Sequence, residues 1–368
     1  MPLALALVAA TTATAACFWS YPRDLALVET NTRYWRADLV LAPGETLELR
    51  GRFPYARQMS TAVHRRADNM MVAAVRDEDI MPDAGATNPY RIGARRNADN
   101  RRFTLAFTTR TGGANVVPDS IPLRLLYRIY LPDQAHPGGG VPLPQAQVID
   151  SAGAIRALGA ECPDPATVDP AQIIGPTNIP PGPGTADDPI TWLGSRAPSD
   201  AGVGDLLVNR DNAYAYAVTD FRREGVILLR GRAPVSPRTR AGAPVMKGGQ
   251  VRYWSLCAYR EPSDRSAACV ADEDVPIGRD RRLTIVVGPA ERRPANARAA
   301  CGIAWLPAPA SATGLLLLRH VAAAPSFQHT PAAVGRGEAA AAALGAYGPK
   351  GGYVAVATVE KLGCPIKP

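Results

Sequence analysis

The chain repeats itself at domain length, and nothing else in it constrains the fold as much. Leu47-Glu48-Leu49-Arg50-Gly51-Arg52-Phe53-Pro54 returns as Ile227-Leu228-Leu229-Arg230-Gly231-Arg232-Ala233-Pro234. Arg57-Gln58-Met59-Ser60 returns as Arg252-Tyr253-Trp254-Ser255, and Asp77-Glu78-Asp79-Ile80 as Asp272-Glu273-Asp274-Val275. From the arginine to the first aspartate is 20 residues in both copies. A period this long is that of a domain, not of a solenoid unit. At 368 residues the chain has room for two such units, and with 46% hydrophobic residues each can bury a core.

Short apolar or alternating runs read as strands: Leu47–Leu49, Gln58–Val63, Met70–Val75, Phe103–Thr108, Leu123–Leu131 and Gln147–Ile149 in the first copy. Val226–Leu229, Val251–Ala258, Leu283–Val287 and Leu315–Leu318 follow in the second. Pro43-Gly44, Pro82-Asp83-Ala84-Gly85 and Pro137-Gly138-Gly139-Gly140 supply turn chemistry between them. The expected fold is mainly β: two tandem antiparallel β-sandwich, jelly-roll-like domains from an internal duplication. One helix is expected, over Glu338–Leu344 and closed by Gly345.

Residues 1–16 read as a secretory leader. Leu3 to Ala16 is small and apolar, and Ala13-Thr14-Ala15 fits a cleavage site, although a basic start is missing. The run is too short to span a membrane, so no transmembrane span is expected. Cys17 follows directly. A lipid-anchored Cys17 is one outcome; cleavage leaving it as an ordinary disulfide cysteine is favoured, because Thr14 stands where a lipobox prefers leucine. Residues 17–162 then form the first copy, 163–204 a linker rich in Pro, Gly and Asp, and 205–368 the second copy.

The six cysteines, Cys17, Cys162, Cys257, Cys269, Cys301 and Cys364, are even in number and widely spaced. In an exported chain this is a three-disulfide framework, for which fifteen pairings exist. Cys17 with Cys162 would tie together the ends of the first copy. Cys257 and Cys269 could face each other on a hairpin, leaving Cys301 with Cys364. Zinc-type spacing is absent.

The net charge is +8 and the excess is arginine, spread along the chain in pairs such as Arg65-Arg66 and Arg222-Arg223. No aromatic-interleaved stripe or nucleic-acid motif accompanies it, which argues against nucleic acid and for a weaker attraction to anionic polymers or headgroups.

Arg252-Tyr253-Trp254-Ser255-Leu256-Cys257, then Trp305-Leu306-Pro307-Ala308-Pro309, then Leu315 to Arg319 resemble exported bacterial proteins of the uncharacterised family called domain of unknown function twelve-fourteen. The first copy fits the plan more loosely through Leu126-Tyr127-Arg128-Ile129-Tyr130-Leu131-Pro132, with Gln58-Met59 in place of Tyr253-Trp254. The resemblance implies a jelly-roll-like sandwich and brings no catalytic residues.

The repeated charges are the first candidates for chemistry. Arg57 with Asp77, and Arg252 with Asp272, could meet across a sheet as buried bidentate pairs, or the arginines could grip an acidic ligand. Arg128 and Arg319 also match between copies. Calcium is the possible cofactor, with Asp77, Asp79 and Asp83 as candidate ligands on a loop that also offers Asn88. Of four histidines, His64 lies closest to a repeated motif, so His64, Asp77 and Arg57 are the candidate catalytic groups, and Ser60, His64 and Asp77 can be drawn as a triad. Trp254 and Trp305 are either core anchors or part of a sugar platform. Candidate binding residues are therefore Arg57, Arg252, Asp272, Trp254 and Trp305.

The copies also trade insertions of 15 residues, Met81–Arg101 in the first and Val235–Gln250 in the second, where function would most naturally diverge. The expectation is a binding or structural protein of the cell envelope or extracellular space, whether periplasmic, surface-bound or secreted, with an acidic polysaccharide or other anionic polymer as ligand. The rival is a hydrolase or lyase with its site between the copies.

Overall fold

The computed structural model describes residues 17–22, 27–162, 188–195, 207, 209–260, 268–311 and 314–366. The expected leader and most of the expected linker lie outside them. The first half holds β1 Thr32–Leu39, β2 Thr46–Arg52, β3 Ala56–Arg65, β4 Met71–Arg76, β5 Arg102–Thr108, β6 Leu123–Pro132, β7 Gln145–Ile149 and β8 Ile155–Ala157. The second holds β9 Leu193–Gly194, β10 Asn212–Thr219, β11 Val226–Arg232, β12 Tyr253–Tyr259, β13 Ala268–Ala271, β14 Arg282–Gly288, β15 Ala304–Pro307, β16 Gly314–Val321 and β17 Lys350–Val354. Two short helices, α1 Ala341–Leu344 and α2 Val356–Glu360, flank β17.

Each half is a β-sandwich. In the first, the sheet β1-β6-β3-β4 faces the sheet β5-β2-β7-β8. In the second, β9-β10-β16-β12-β13 faces β15-β14-β11-β17. Strand order β1-β6-β3-β4 corresponds to β10-β16-β12-β13, and β5-β2-β7 to β14-β11-β17, so the sequence repeat is matched strand for strand. Pairing is antiparallel throughout the named strands except β14 with β15, which run parallel. Period-two alternation sets the faces. In β2, Leu47 and Leu49 point into the core beside Phe103, Phe107 and Val148, while Arg50 and Arg52 point outward. β11 does the same with Ile227 and Leu229.

The central strands β3, β6, β12 and β16 are buried along almost their whole length. A sheet in a free sandwich shows one face to water. Here the second face is covered by the other half of the molecule, with Tyr130 and Leu131 of β6 packed against Tyr253, Ala271 and Val321.

All three disulfides take the pairings considered above: Cys17–Cys162, Cys257–Cys269 and Cys301–Cys364. Cys257 and Cys269 are direct cross-strand neighbours on β12 and β13. Three disulfides fit folding in an oxidising, extracytoplasmic compartment. No helix among the described residues is long and apolar enough to cross a membrane.

Two expectations need correction. Residues 188–195 do not behave as linker: Ile190 and Trp192 are buried in the second core, and β9 extends its sheet. The expected helix is shorter by three residues. The Ala340 amide donates to the Trp192 carbonyl, and Ala339 bridges Leu193, so β9 captures the backbone that the Ala-rich run would have wound into a first turn.

Candidate functional site

The repeated Arg and Asp residues are indeed paired, but not within each copy. Arg57 Nη1 donates to Asp272 Oδ2 at 2.6 Å, Nη2 donates to Asp272 Oδ1 at 3.3 Å, and Nη2 also binds the Glu273 carboxylate. Arg252 Nη2 donates to Glu78 Oε2 at 3.1 Å, and its Nη1 lies 3.7 Å from Asp77 Oδ2. The arginine of each half holds the Asp-Glu phrase of the other. This is the i-to-j, j-to-i pattern of a two-fold interface, written within one chain. The expected pairs Arg57–Asp77 and Arg252–Asp272 are thereby replaced by crossed ones, because β3 and β12 meet at the junction of the halves.

The exchange continues outward. The segment entering β1 crosses to the second half, and the segment entering β10 crosses to the first. Leu27 packs on Tyr216, Tyr259, Leu315 and Leu317. Leu207 packs on Tyr34 and Leu126. The Leu27 carbonyl accepts from Tyr259 Oη at 3.1 Å and from Arg319 Nη2 at 3.5 Å; the Leu207 carbonyl accepts from Arg128 Nη2. Even the turn geometry repeats: Leu131 and Ala322 both have positive φ, and their amides donate to Asn31 and Asp211 carbonyls respectively. Arg128 and Arg319 thus have a job, as clamps on the incoming arm of the opposite half.

These arm residues were missed in the sequence, although a signal was there. Leu27-Val28-Glu29 to Tyr34 and Leu207-Val208-Asn209 to Tyr214 align at a constant separation of 180 residues. A second missed repeat is Trp19 and Trp192, whose indole N–H groups donate to the Pro144 and Pro349 carbonyls at 2.7 and 2.6 Å. One difference breaks the symmetry of the arms. Glu29 is buried and bonded to both Arg319 and the Tyr253 hydroxyl, whereas Asn209 donates its amide to the Tyr130 hydroxyl.

The two insertions also find each other. The Gly93 amide donates to the Met246 carbonyl, the Met246 amide to Ala94 and the Arg96 amide to Pro244. Met246 enters the core of the first half. Arg96 Nη1 donates to the Thr239 and Ala243 carbonyls, and its Nη2 to Asp133 Oδ1 at 2.6 Å. These loops form a clasp between the halves rather than two free functional loops.

The remaining candidates sit apart. His64 is wholly buried in β3, opposite Arg124 of β6. The Asp77 carboxylate accepts from the Met59 amide at 3.0 Å, five residues back along β3. At roughly 3.3 Å per residue that leaves about 16 Å between His64 and Asp77, so Ser60, His64 and Asp77 do not assemble into a triad. Burial pushes the Asp77 carboxyl up to about 7, with Arg252 and the Met59 amide pulling it partly back.

The calcium reading meets a similar obstacle. Arg252 stands where a cation would approach Asp77, and the Asn88 amide donates to the Asp77 and Ile80 carbonyls at 2.7 and 2.8 Å. Among the described residues, Asp77, Asp79 and Asp83 do not bring their oxygens together; the one close group of ligand atoms is Glu29 with Cys257 and Cys269, and those cysteines are bonded to each other. Trp254 is buried in the second core. Trp305 is half-buried on β15, with the Arg293 guanidinium 5.7 Å from its ring. Trp254 therefore offers no open face to a sugar, while Trp305 is covered only in part.

No family model matches the chain, and no curated protein matches it. Among solved structures it is similar to an uncharacterised protein from Burkholderia cenocepacia, at 12% identity and a TM-score of 0.54, covering 91% of this chain and 79% of that one. A Vibrio parahaemolyticus protein aligns at 11% identity with a TM-score of 0.43, over 89% of this chain and 90% of that one. The first likeness spans both halves and concerns the fold alone.

Proposed function

We propose that this is an exported binding or structural protein of the cell envelope or extracellular space, built by duplication of one sandwich, whose ligand is an acidic polymer. The observation that carries this reading is the crossed pairing: Arg57, Arg252, Asp77 and Asp272, the groups a site between the copies would need, are bound to one another. A hydrolase or lyase there would have to draw on groups other than these four. The cationic excess of +8 then lies on the surface, where it attracts polyanions. The Cys17 sulfur is bonded to Cys162, which favours a cleaved leader over a lipid on that same sulfur. The phrase-level resemblance to domain of unknown function twelve-fourteen is compatible with such a role and assigns no ligand.

The test is a panel of immobilised neutral and acidic polysaccharides at low and high salt. Retention on the acidic members, weakened by salt, is expected. Retention on none of them, or release of new reducing or unsaturated sugar ends, would favour the enzyme instead.

A further inference from the structure

Leu-Arg-Gly-Arg is the longest identical run of the repeat, yet neither crossed pairing nor core packing uses its arginines. The glycine has a packing reason. A Cβ at Gly51 would sit 2.9 Å from the Phe103 ring, and one at Gly231 would sit 3.2 Å from Pro349. The arginines point the other way, to solvent.

Their neighbours are cationic too. Arg52 lies directly opposite Arg102 across β2 and β5, and Arg232 directly opposite Arg282 across β11 and β14. Like charges at opposed positions destabilise a strand pair. Both halves nevertheless carry the arrangement, which marks it as a surface that holds an anion rather than one tuned for stability.

The halves differ in how far the charge is neutralised. In the first, Glu48 binds Arg50 at 2.6 Å. In the second, the position of Glu48 is taken by Leu228, and Lys350 of β17 stands opposite Arg230. No carboxylate among the described residues pairs with Arg230 or Lys350. Asp280, itself exposed, binds Arg282. Four cations therefore share three adjacent strands, about 5 Å from one strand to the next.

We propose that the open end of the outer face of β14, β11 and β17, where Arg230, Arg232, Arg282 and Lys350 are exposed beyond the packing of Val226, Leu228 and Val286 against Val359, is a binding surface for an acidic polysaccharide, and that the equivalent face of the first half is a weaker copy. This deepens the function proposed above and rests on it. Charge complementarity selects a polymer with closely spaced carboxylates or sulfates. A single-stranded nucleic acid would call for exposed aromatic rings beside the cations. The nearest ring, Tyr347, is stacked on His329 and edge-on to Phe327.

Polygalacturonate is the first probe, and the full chain is compared with Arg230→Gln/Arg282→Gln/Lys350→Gln and with Arg50→Gln/Arg102→Gln. These side chains are exposed and their removal relieves like-charge pairs, so the variants unfold no earlier than the parent. The triple variant is expected to lose roughly tenfold or more in affinity and to show a shallower salt dependence, as for any loss of polyelectrolyte contacts. The double variant loses less. If the parent binds and the triple variant binds equally well, the assigned face is wrong while the acidic-polymer reading stands. If the parent holds neither polygalacturonate nor a sulfated glycan, both fall. Preference for duplex DNA or anionic vesicles, lost in the triple variant, keeps the face and overturns the polysaccharide.

Discussion

The two crossed clusters are related by the repeat and yet are built to different standards. Around Arg57 every donor nitrogen has an acceptor: Nε donates to Thr239 Oγ1 at 2.7 Å, Nη1 to the Arg252 carbonyl and Asp272, Nη2 to Asp272 and Glu273. Glu273 also accepts the Thr239 and Arg240 amides, both at 2.8 Å. Around Arg252 the Asp77 contact is long, and Glu78 is more than a third exposed. The cause is the insertion Val235–Gln250, which wraps Arg57 and has no counterpart beside Arg252. Both insertions pack at the same end of the junction. One end of a pseudo-two-fold interface has thus become a closed, fully bonded network, while the other keeps a nearly buried but loosely bonded Arg252–Asp77 pair beside a hydrated Glu78. The lesson is that two like halves offer a symmetric contact, and the longer loop on one side decides which end of it holds the molecule together.

The largest break in that contrast is Arg57→Met. Removing one member of a fully buried pair strands the other charges, so a loss of about 3–5 kcal/mol is expected in denaturant unfolding. Met246→Ala should follow at about 2–5 kcal/mol, since it empties a site in the first core that a residue of the second half fills. If it unfolds only the second half, the clasp has been misjudged. Arg252→Met should cost less, about 1–2 kcal/mol, because Glu78 stays hydrated and Asp77, raised by burial to about 7, can take up a proton when its partner goes. Equal losses for Arg57→Met and Arg252→Met would erase the asymmetry.

A pH slope at the loose end gives a further test. The Asp77 carboxyl is raised by burial from 3.8 to about 7, so the folded protein binds its proton more tightly than the unfolded chain. Its contribution to stability is full below pH 3.8 and is lost as pH rises through about 7. Asp77→Asn keeps an acceptor for the Met59 amide and should flatten the fall in stability over that window. An unchanged slope would show that other buried carboxyls carry it, Asp211 and Asp272 being raised by burial as well.

Much of the fold was legible. Strands with alternating or β-rich runs stand where the pattern put them, and the observed disulfides are the pairs considered among the fifteen possible. β1 and β10 were not seen, because Arg33, Arg36 and Asp38 or a run of small alanines hide the apolar side of each strand. The site was legible only in part. Repetition identified the arginines and acids, but spacing within a copy suggested partners within that copy. A crossed pair produces the same repeated spacing, and only the placement of one sandwich against the other distinguishes the two. The arm repeat from Leu27 to Tyr34 keeps only Leu27, Val28 and Tyr34 in common with its twin, a faint signal, since its main requirement is a backbone carbonyl offered to an arginine, which leaves no trace in sequence.

The most direct test is a pair of double-mutant cycles on unfolding free energy, Arg57→Met with Asp272→Asn and Arg57→Met with Asp77→Asn. Residues in contact couple by about 0.5–3 kcal/mol. Crossed pairing predicts strong coupling of Arg57 to Asp272 across the two halves and clearly weaker coupling to Asp77. Strong coupling of Arg57 to Asp77, with near-additivity toward Asp272, would return the pairs to their own copies and contradict the exchange.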